Sequence, residues 1–170
     1  DTSTPHRPQT NGVAERAVRR VKEGTSTTLE QSGASPRAFW QAAMLCYCFL
    51  RNVVDKFKGN HTAYYARFGC EFKGPLIPFG AEVKYFPITQ ADKDRLPKYG
   101  GKRLNGLFWG YDQRSGGSWS GDVYVVDQEE IDAAEHPSDV HPKRFKHAEV
   151  EAILRGGNFY FPLAKGDLSQ

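Results

Sequence analysis

The sequence predicts an α+β protein with helices over residues 1–70, a small β-barrel over 71–130, and a polar linker or tail over 131–170. Three observations predict it. Apolar residues recur at helical spacing from Val13. A nearly unbroken apolar run follows Ser35-Pro36. From about residue 70 the chain changes to Gly, Pro and short β-branched or aromatic runs.

Residues 1–11 hold two Pro with Thr, Ser, Asn and Gln and read as a loop, with Asn11 as helix N-cap. On a helical wheel with Glu15 at zero, Val13, Ala14, Ala17, Val18 and Val21 span from about 160° to 300°, one apolar arc. Glu15, Arg16, Arg19, Lys22 and Glu23 take the other face. Ser35-Pro36 supplies the cap and first turn of a second helix, Ala38 to Leu50, which is apolar almost all round. Such a helix needs partners on several sides, and one amphipathic neighbour does not suffice; a sheet preceding residue 1 is expected to cover it. A short helix at Thr62–Arg67 is ended by Gly69. Strands are expected at Ala81–Phe86, Gly106–Tyr111 and Asp122–Val126. The turn signals Gly116-Gly117 and Ser120-Gly121 precede the last of them. Strands this short suit a small barrel. The polar stretch after Gln128 ends in Phe159-Tyr160-Phe161-Pro162.

Composition narrows the function classes. No apolar run approaches the roughly 18 residues of a membrane span, so no membrane partner is expected. The chain starts without Met and without a signal pattern, and reads as an excised, intracellular segment. Cys46, Cys48 and Cys70 form no CxxC pair and read as reduced thiols. A zinc site from them with His61 fails on geometry, since Cys46 and Cys48 stand about 200° apart on a helix. The net charge of +3 is mild, but the cations cluster: Arg7 to Lys22, Lys93 to Arg103, and Lys143 to Lys146. Separate basic patches suit phosphate contacts at defined places. Lys84, Lys98, Lys102, Arg103 and Arg114, interleaved with Tyr85, Tyr99, Trp109 and Trp119, suit a DNA-holding surface. Trp109 and Tyr111 also fit a barrel core.

One segment carries chemistry. Glu15 stands in the first turn of the predicted helix, with Arg19 at i+4 and Lys22 at i+7 within about 40° of it. Phosphoryl transfer on DNA needs carboxylates for divalent metal and cations to hold the phosphodiester. The same pattern is also an ordinary Glu–Arg ion pair worth a few tenths of a kcal/mol.

His6-x-Pro8-Gln9-Thr10-Asn11-Gly12-x-x-Glu15-Arg16 resembles the motif at the third catalytic acid of retroviral and retrotransposon integrases. Phe39-Trp40-Gln41-Ala42-Ala43 resembles the Phe-Trp helix of copia-type integrases. Phe68-Gly69-Cys70 and Gly106-Leu107-Phe108-Trp109-Gly110-Tyr111 resemble two further landmarks of that family. Phe68-Gly69-Cys70 falls earlier than usual and Pro78-Phe79-Gly80 matches the family's spacing better, so two alignments stay open between residues 68 and 85. The resemblance covers roughly residues 4–126. It implies a ribonuclease-H-like core, here its C-terminal helices, followed by a Src-homology-3-like barrel. The implied activity is Mg²⁺-dependent joining of element DNA 3′ ends to target DNA, in the nucleus, by a homo-oligomeric parent enzyme. Glu15 takes the place of the catalytic, metal-binding Glu. Arg16, Arg19 and Lys22, with Lys84, Lys98, Lys102 and Arg103 of the barrel, are the implied DNA contacts. Pro8, Gln9, Asn11 and Gly12 belong to the active-site loop. Both catalytic Asp would lie before residue 1, so this chain alone is expected to bind DNA, to bind Mg²⁺ weakly and not to catalyse. Two other readings stay open: a domesticated, non-catalytic nucleic-acid-binding module, and a barrel that reads a partner peptide.

Overall fold

The computed structural model describes residues 8–57 and 59–167, with side chains described from residue 11 to residue 165. Three helices come first: α1 (Pro8–Ser32), α2 (Pro36–Val54) and α3 (Ala63–Phe68). A five-stranded antiparallel sheet follows, built from β1 (Glu82–Tyr85), β2 (Leu104–Gln113), β3 (Trp119–Asp127), β4 (Lys143–Lys146) and β5 (Val150–Ala152). Short helices α4 (Gln90–Lys93) and α5 (Gln128–Ala133) decorate its loops. The strands β6 (Leu154–Arg155), β7 (Asn158–Phe161) and β8 (Gly166–Asp167) make a separate small ladder. No helix among the described residues is long and apolar enough to cross a membrane.

α1 begins at Pro8, not after Gly12. The expected loop residues Pro8, Gln9, Asn11 and Gly12 are therefore helical, and Asn11 is not the cap. Proline is suited to a first helical turn, where its missing N–H has no partner to lose and its φ is already helical. α2 has its Pro36 in the first turn as expected, with a local break at Phe39 (φ −126°, ψ 15°). Thr62 caps α3 by accepting the Tyr65 N–H at 3.1 Å, and Gly69 ends it in the left-handed region.

The sheet order is β4-β3-β2-β1-β5. The edge strands β4 and β5 are joined by only one 3₁₀ turn, His147–Glu149. A flat sheet would hold β1 and β4 about 14 Å apart, yet the Tyr85 and Phe145 ring centroids stand 4.9 Å apart. The sheet is therefore curled until its two faces differ completely, one concave and packed, one convex. Two register shifts along β2 and β3 help it bend. Val83, Tyr85, Phe108, Val123, Val125 and Phe145 are buried in this core. The stretch expected as a polar linker or tail thus supplies two of the five strands, and Phe161 beyond them is buried too.

The helices pack on the outside of β2. Phe39 meets Trp109 edge-on at 5.2 Å, and Phe49 stacks on Tyr111 at 4.6 Å. The Tyr111 hydroxyl donates to the Pro75 carbonyl (2.6 Å) and accepts the Ile77 N–H (2.9 Å). β2 is covered on both faces, which explains its continuous apolar run. The cover expected for α2 from a preceding sheet is in part supplied by β2 of this chain itself. α1 crosses α2 where Gly24 lies under the Tyr47 ring; a Cβ at Gly24 would stand 1.9 Å from Cζ of Tyr47. At its far end α1 meets the segment that leads into β1, with Ser32 against Gly80.

Thiol chemistry reports this packing. Burial pushes the Cys46 thiol on α2 up to about 12, against a hydrogen bond from the Phe79 backbone, whereas Cys70 is exposed. Since the thiolate is the reactive species, a disulfide reagent in mildly alkaline buffer is expected to label Cys70 first and Cys46 only on unfolding. Equal labelling rates for the two in the folded chain would contradict the packing of α2 on β2.

Candidate nucleic-acid interface

The N-terminal half of α1 stands in solvent. From Val13 to Arg20 every residue is exposed, and the buried residues of the helix, Thr25, Leu29 and Ser32, lie in its last third. Between Asn11 and Lys22 there are four cations, Arg16, Arg19, Arg20 and Lys22, against one carboxylate, Glu15. The turn periodicity brings Glu15, Arg19 and Lys22 together along one open hollow with Ala14 and Val18. The Arg16 guanidinium folds back along the helix, 3.3 Å from where a Gly12 Cβ would stand. The ion pairs among the described residues do not include Glu15 with Arg19, so the ordinary i,i+4 pair is not formed.

A divalent cation acting on phosphodiesters needs several oxygen ligands. Glu15 presents one carboxylate, and no group of three His, Cys, Asp or Glu able to hold a metal ion occurs among the described residues. The residues present do not form a two-metal centre by themselves. Among the described residues of α1's open face, Glu15 offers such a centre one carboxylate ligand.

The other expected cations lie on the sheet and its loops. In β1, Val83 and Tyr85 point into the core, so Lys84 points outward with Glu82. Lys84 pairs in register with Asn105 of β2 and Glu151 of β5. Continuing that register sets Arg103 opposite Phe86, and the Arg103 guanidinium lies 5.7 Å from the Phe86 ring centroid. Arg103 also forms an ion pair with Glu151. Lys84 and Arg103 therefore share one convex face and one acidic neighbour.

Lys98 and Lys102 are exposed on the loop between α4 and β2. Its base is fixed. Arg95 donates to Asp92 (3.2 Å), Asp127 (3.1 Å) and Glu129 (3.1 Å), and Lys143 reaches Asp92 at 3.1 Å. Burial works against ionised Asp92, but the Lys143, Thr89 and Arg95 donors hold its carboxyl below the usual range. Asp127 also accepts the Tyr85 hydroxyl at 2.6 Å and caps α5. Arg95 is thus a structural cation, while Lys98 and Lys102 extend past it.

Of the aromatic residues expected among the barrel cations, Tyr85 and Trp109 are core instead, and Trp119 is half-buried against Phe72. Alternation in β1 and the α2 contact on β2 turn them inward. Tyr99, 85% exposed, is the one that faces solvent. Arg114 is exposed at the β2–β3 turn, away from α4 in the sequence. Sequence reasoning missed Glu151, which lies in a stretch with no strand signal of its own.

Between α1 and α2 an apolar hollow of about 730 Å³ is lined by Val18, Val21, Leu29, Pro36, Trp40 and Met44. Thr25 also lines it, and its buried hydroxyl has no hydrogen-bond partner. No protein-family model matches this chain, and no solved structure matches it.

Proposed function

We propose that this chain is the closing part of a retrotransposon-type integrase, and that by itself it binds DNA without catalysing. The observation that carries the reading is the solvent-facing side of α1, where Glu15 stands near Arg16, Arg19, Arg20 and Lys22 and belongs to no ion pair among the described residues. This arrangement suits a metal ligand beside a bound polyanion. In the complete enzyme Glu15 is the third acid of a Mg²⁺-dependent strand-transferase active in the nucleus as a homo-oligomer.

Two features of the fold support this. The apolar hollow between α1 and α2 has the extent expected if a further layer, such as the sheet of a ribonuclease-H-like core, packs there. The curled sheet of order β4-β3-β2-β1-β5, with edge strands joined by a 3₁₀ turn, supports the Src-homology-3-like part of the reading. Its convex face carries Lys84 and Arg103. The second reading, a non-catalytic DNA-binding module, is favoured by the lone carboxylate and needs the same basic surfaces.

The test is a salt titration of duplex DNA binding by the 170-residue chain, followed by fluorescence anisotropy. Binding is expected to be independent of sequence. The double variant Arg19→Ala/Lys22→Ala is expected to reduce the log–log salt slope by about 2, since each duplex phosphate contact contributes about 0.9. No binding at low salt would remove both readings. An unchanged slope would remove α1 from the interface.

A further inference from the structure

We infer that the loop between α4 and β2 is a single-nucleotide platform, on which Tyr99 stacks an unpaired base of DNA while Lys98 and Lys102 hold its flanking phosphates. The inference rests on the DNA-binding reading above and specifies which form of DNA the barrel takes.

Tyr99 is the most exposed large hydrophobic side chain among the described residues, at 85%. No core contact explains it. The loop around it is nonetheless built. On the N-terminal side, Leu96 packs against the core and Arg95 is held by three carboxylates. On the C-terminal side, Arg103 is held by Glu151 and lies over Phe86. Gly100 takes φ +129°, and a Cβ there would touch Cγ of Pro97 at 3.6 Å, so the chain turns tightly about Tyr99. A Cβ at Gly101 would meet nothing within 4 Å, so the approach to the loop is open.

The chemistry of the surroundings selects the ligand. Lys98 Nζ lies 5.7 Å from the Tyr99 ring centroid, and Lys102 follows three residues later. An aromatic face between cations fits a base with phosphate on either side. Within a duplex the base faces are hidden by stacking, so only an unpaired base, at an overhang or frayed end, can cover the ring. Tyr99 is thus a base-stacking residue. The cations on α1 and on the convex face of the sheet need only the phosphate backbone.

The experiment compares three DNA probes on the intact chain: a blunt duplex, the same duplex with a short 3′ overhang, and the overhang strand alone. The overhang carries 2-aminopurine, whose fluorescence falls on stacking. The expected result is tighter binding and quenching with the overhang. Tyr99→Ala loses roughly tenfold in overhang affinity and loses the quenching, as removal of one base–aromatic stack should. Tyr99→Phe keeps both, and blunt-duplex binding is the same in all three proteins. Lys98→Ala and Lys102→Ala each lower the single-strand salt slope by about 0.7.

Equal loss on blunt and overhang DNA in Tyr99→Ala, or undiminished quenching, would overturn the platform while leaving the DNA-binding reading intact. Absence of binding to every probe would overturn both. Binding of the chain to anionic phospholipid vesicles through Tyr99, with no Tyr99 effect on any DNA, would also overturn the platform and assign the loop to a lipid surface.

Discussion

If the proposed integrase reading holds, Glu15→Gln in a parent strand-transferase is expected to lower strand-transfer rate about a thousandfold, because charge stabilisation by a catalytic metal is worth several kcal/mol. The melting temperature is expected to stay where it was. The amide preserves size and helix propensity but is a poorer ligand for a hard cation than a carboxylate. The second half of the expectation follows from the structure. Glu15 is exposed and belongs to none of the ion pairs among the described residues, and surface changes away from such features alter stability by no more than about 0.5 kcal/mol. A Mg²⁺-dependent strand-transfer assay and a thermal melt on the same protein decide it. An unchanged rate removes the catalytic assignment. A reduced rate accompanied by a lower melting temperature would mean that Glu15 acts on the fold.

Gly80→Ala is expected to destabilise the chain by about 2–5 kcal/mol, combining left-handed backbone strain with overpacking. Gly80 sits at φ +84°, and a Cβ there would stand 2.5 Å from Cβ of Ser32 and 3.3 Å from its Cα. Ser32 cannot swing aside. It is fully buried, its hydroxyl donates to the Leu29 carbonyl at 3.0 Å, and the Ala34 N–H donates back to it at 3.1 Å. Gly80 itself donates its N–H to the Phe108 carbonyl at 2.7 Å, which ties it to β2. Gly69→Ala is the internal comparison. It shares the positive φ (+74°), but its Cβ would meet nothing within 4 Å, so it should lose only the strain, about 1–2 kcal/mol. Urea unfolding of the two variants separates the contributions. For a chain of this size the Gly80 variant should melt roughly 5–15 °C lower. Equal losses at both glycines would show that Gly80 has room and that the end of α1 does not press on the barrel.

Much of the fold is legible because its elements are apolar and periodic. The second helix, the short third helix with its stop at Gly69, and the strands β1 to β3 follow from apolar runs bounded by Gly, Pro and Ser. β4 was not legible for a physical reason. Lys143-Arg144-Phe145-Lys146 carries one core residue, Phe145, and three cations facing water, as an edge strand can. β5 is three residues long and owes its place to β1. The start of α1 was misread because Pro8 suits a loop and a first helical turn alike. At the candidate site, the wheel assembled Glu15, Arg19 and Lys22 from spacing alone. The barrel surface could not be sorted that way. Tyr85, Trp109 and Tyr99 sit in similar basic company in the sequence, and only strand alternation and the α2 contact make two of them core.

The way the sheet closes also sets where this polypeptide can be cut. β4 and β5 lie at opposite borders of the sheet, yet both come from residues 143–152. Beyond them, Arg155 grips Glu82 of β1 through both carboxylate oxygens, at 3.2 and 3.1 Å, with its guanidinium 3.6 Å from the Tyr160 ring centroid. A recombinant piece ended near residue 130 would strip both flanks of the ladder at once. The bared main-chain groups of β1 and β3 would then be free to recruit other molecules. A piece that keeps both flanks of the ladder and the Arg155 contacts must therefore extend at least through Tyr160.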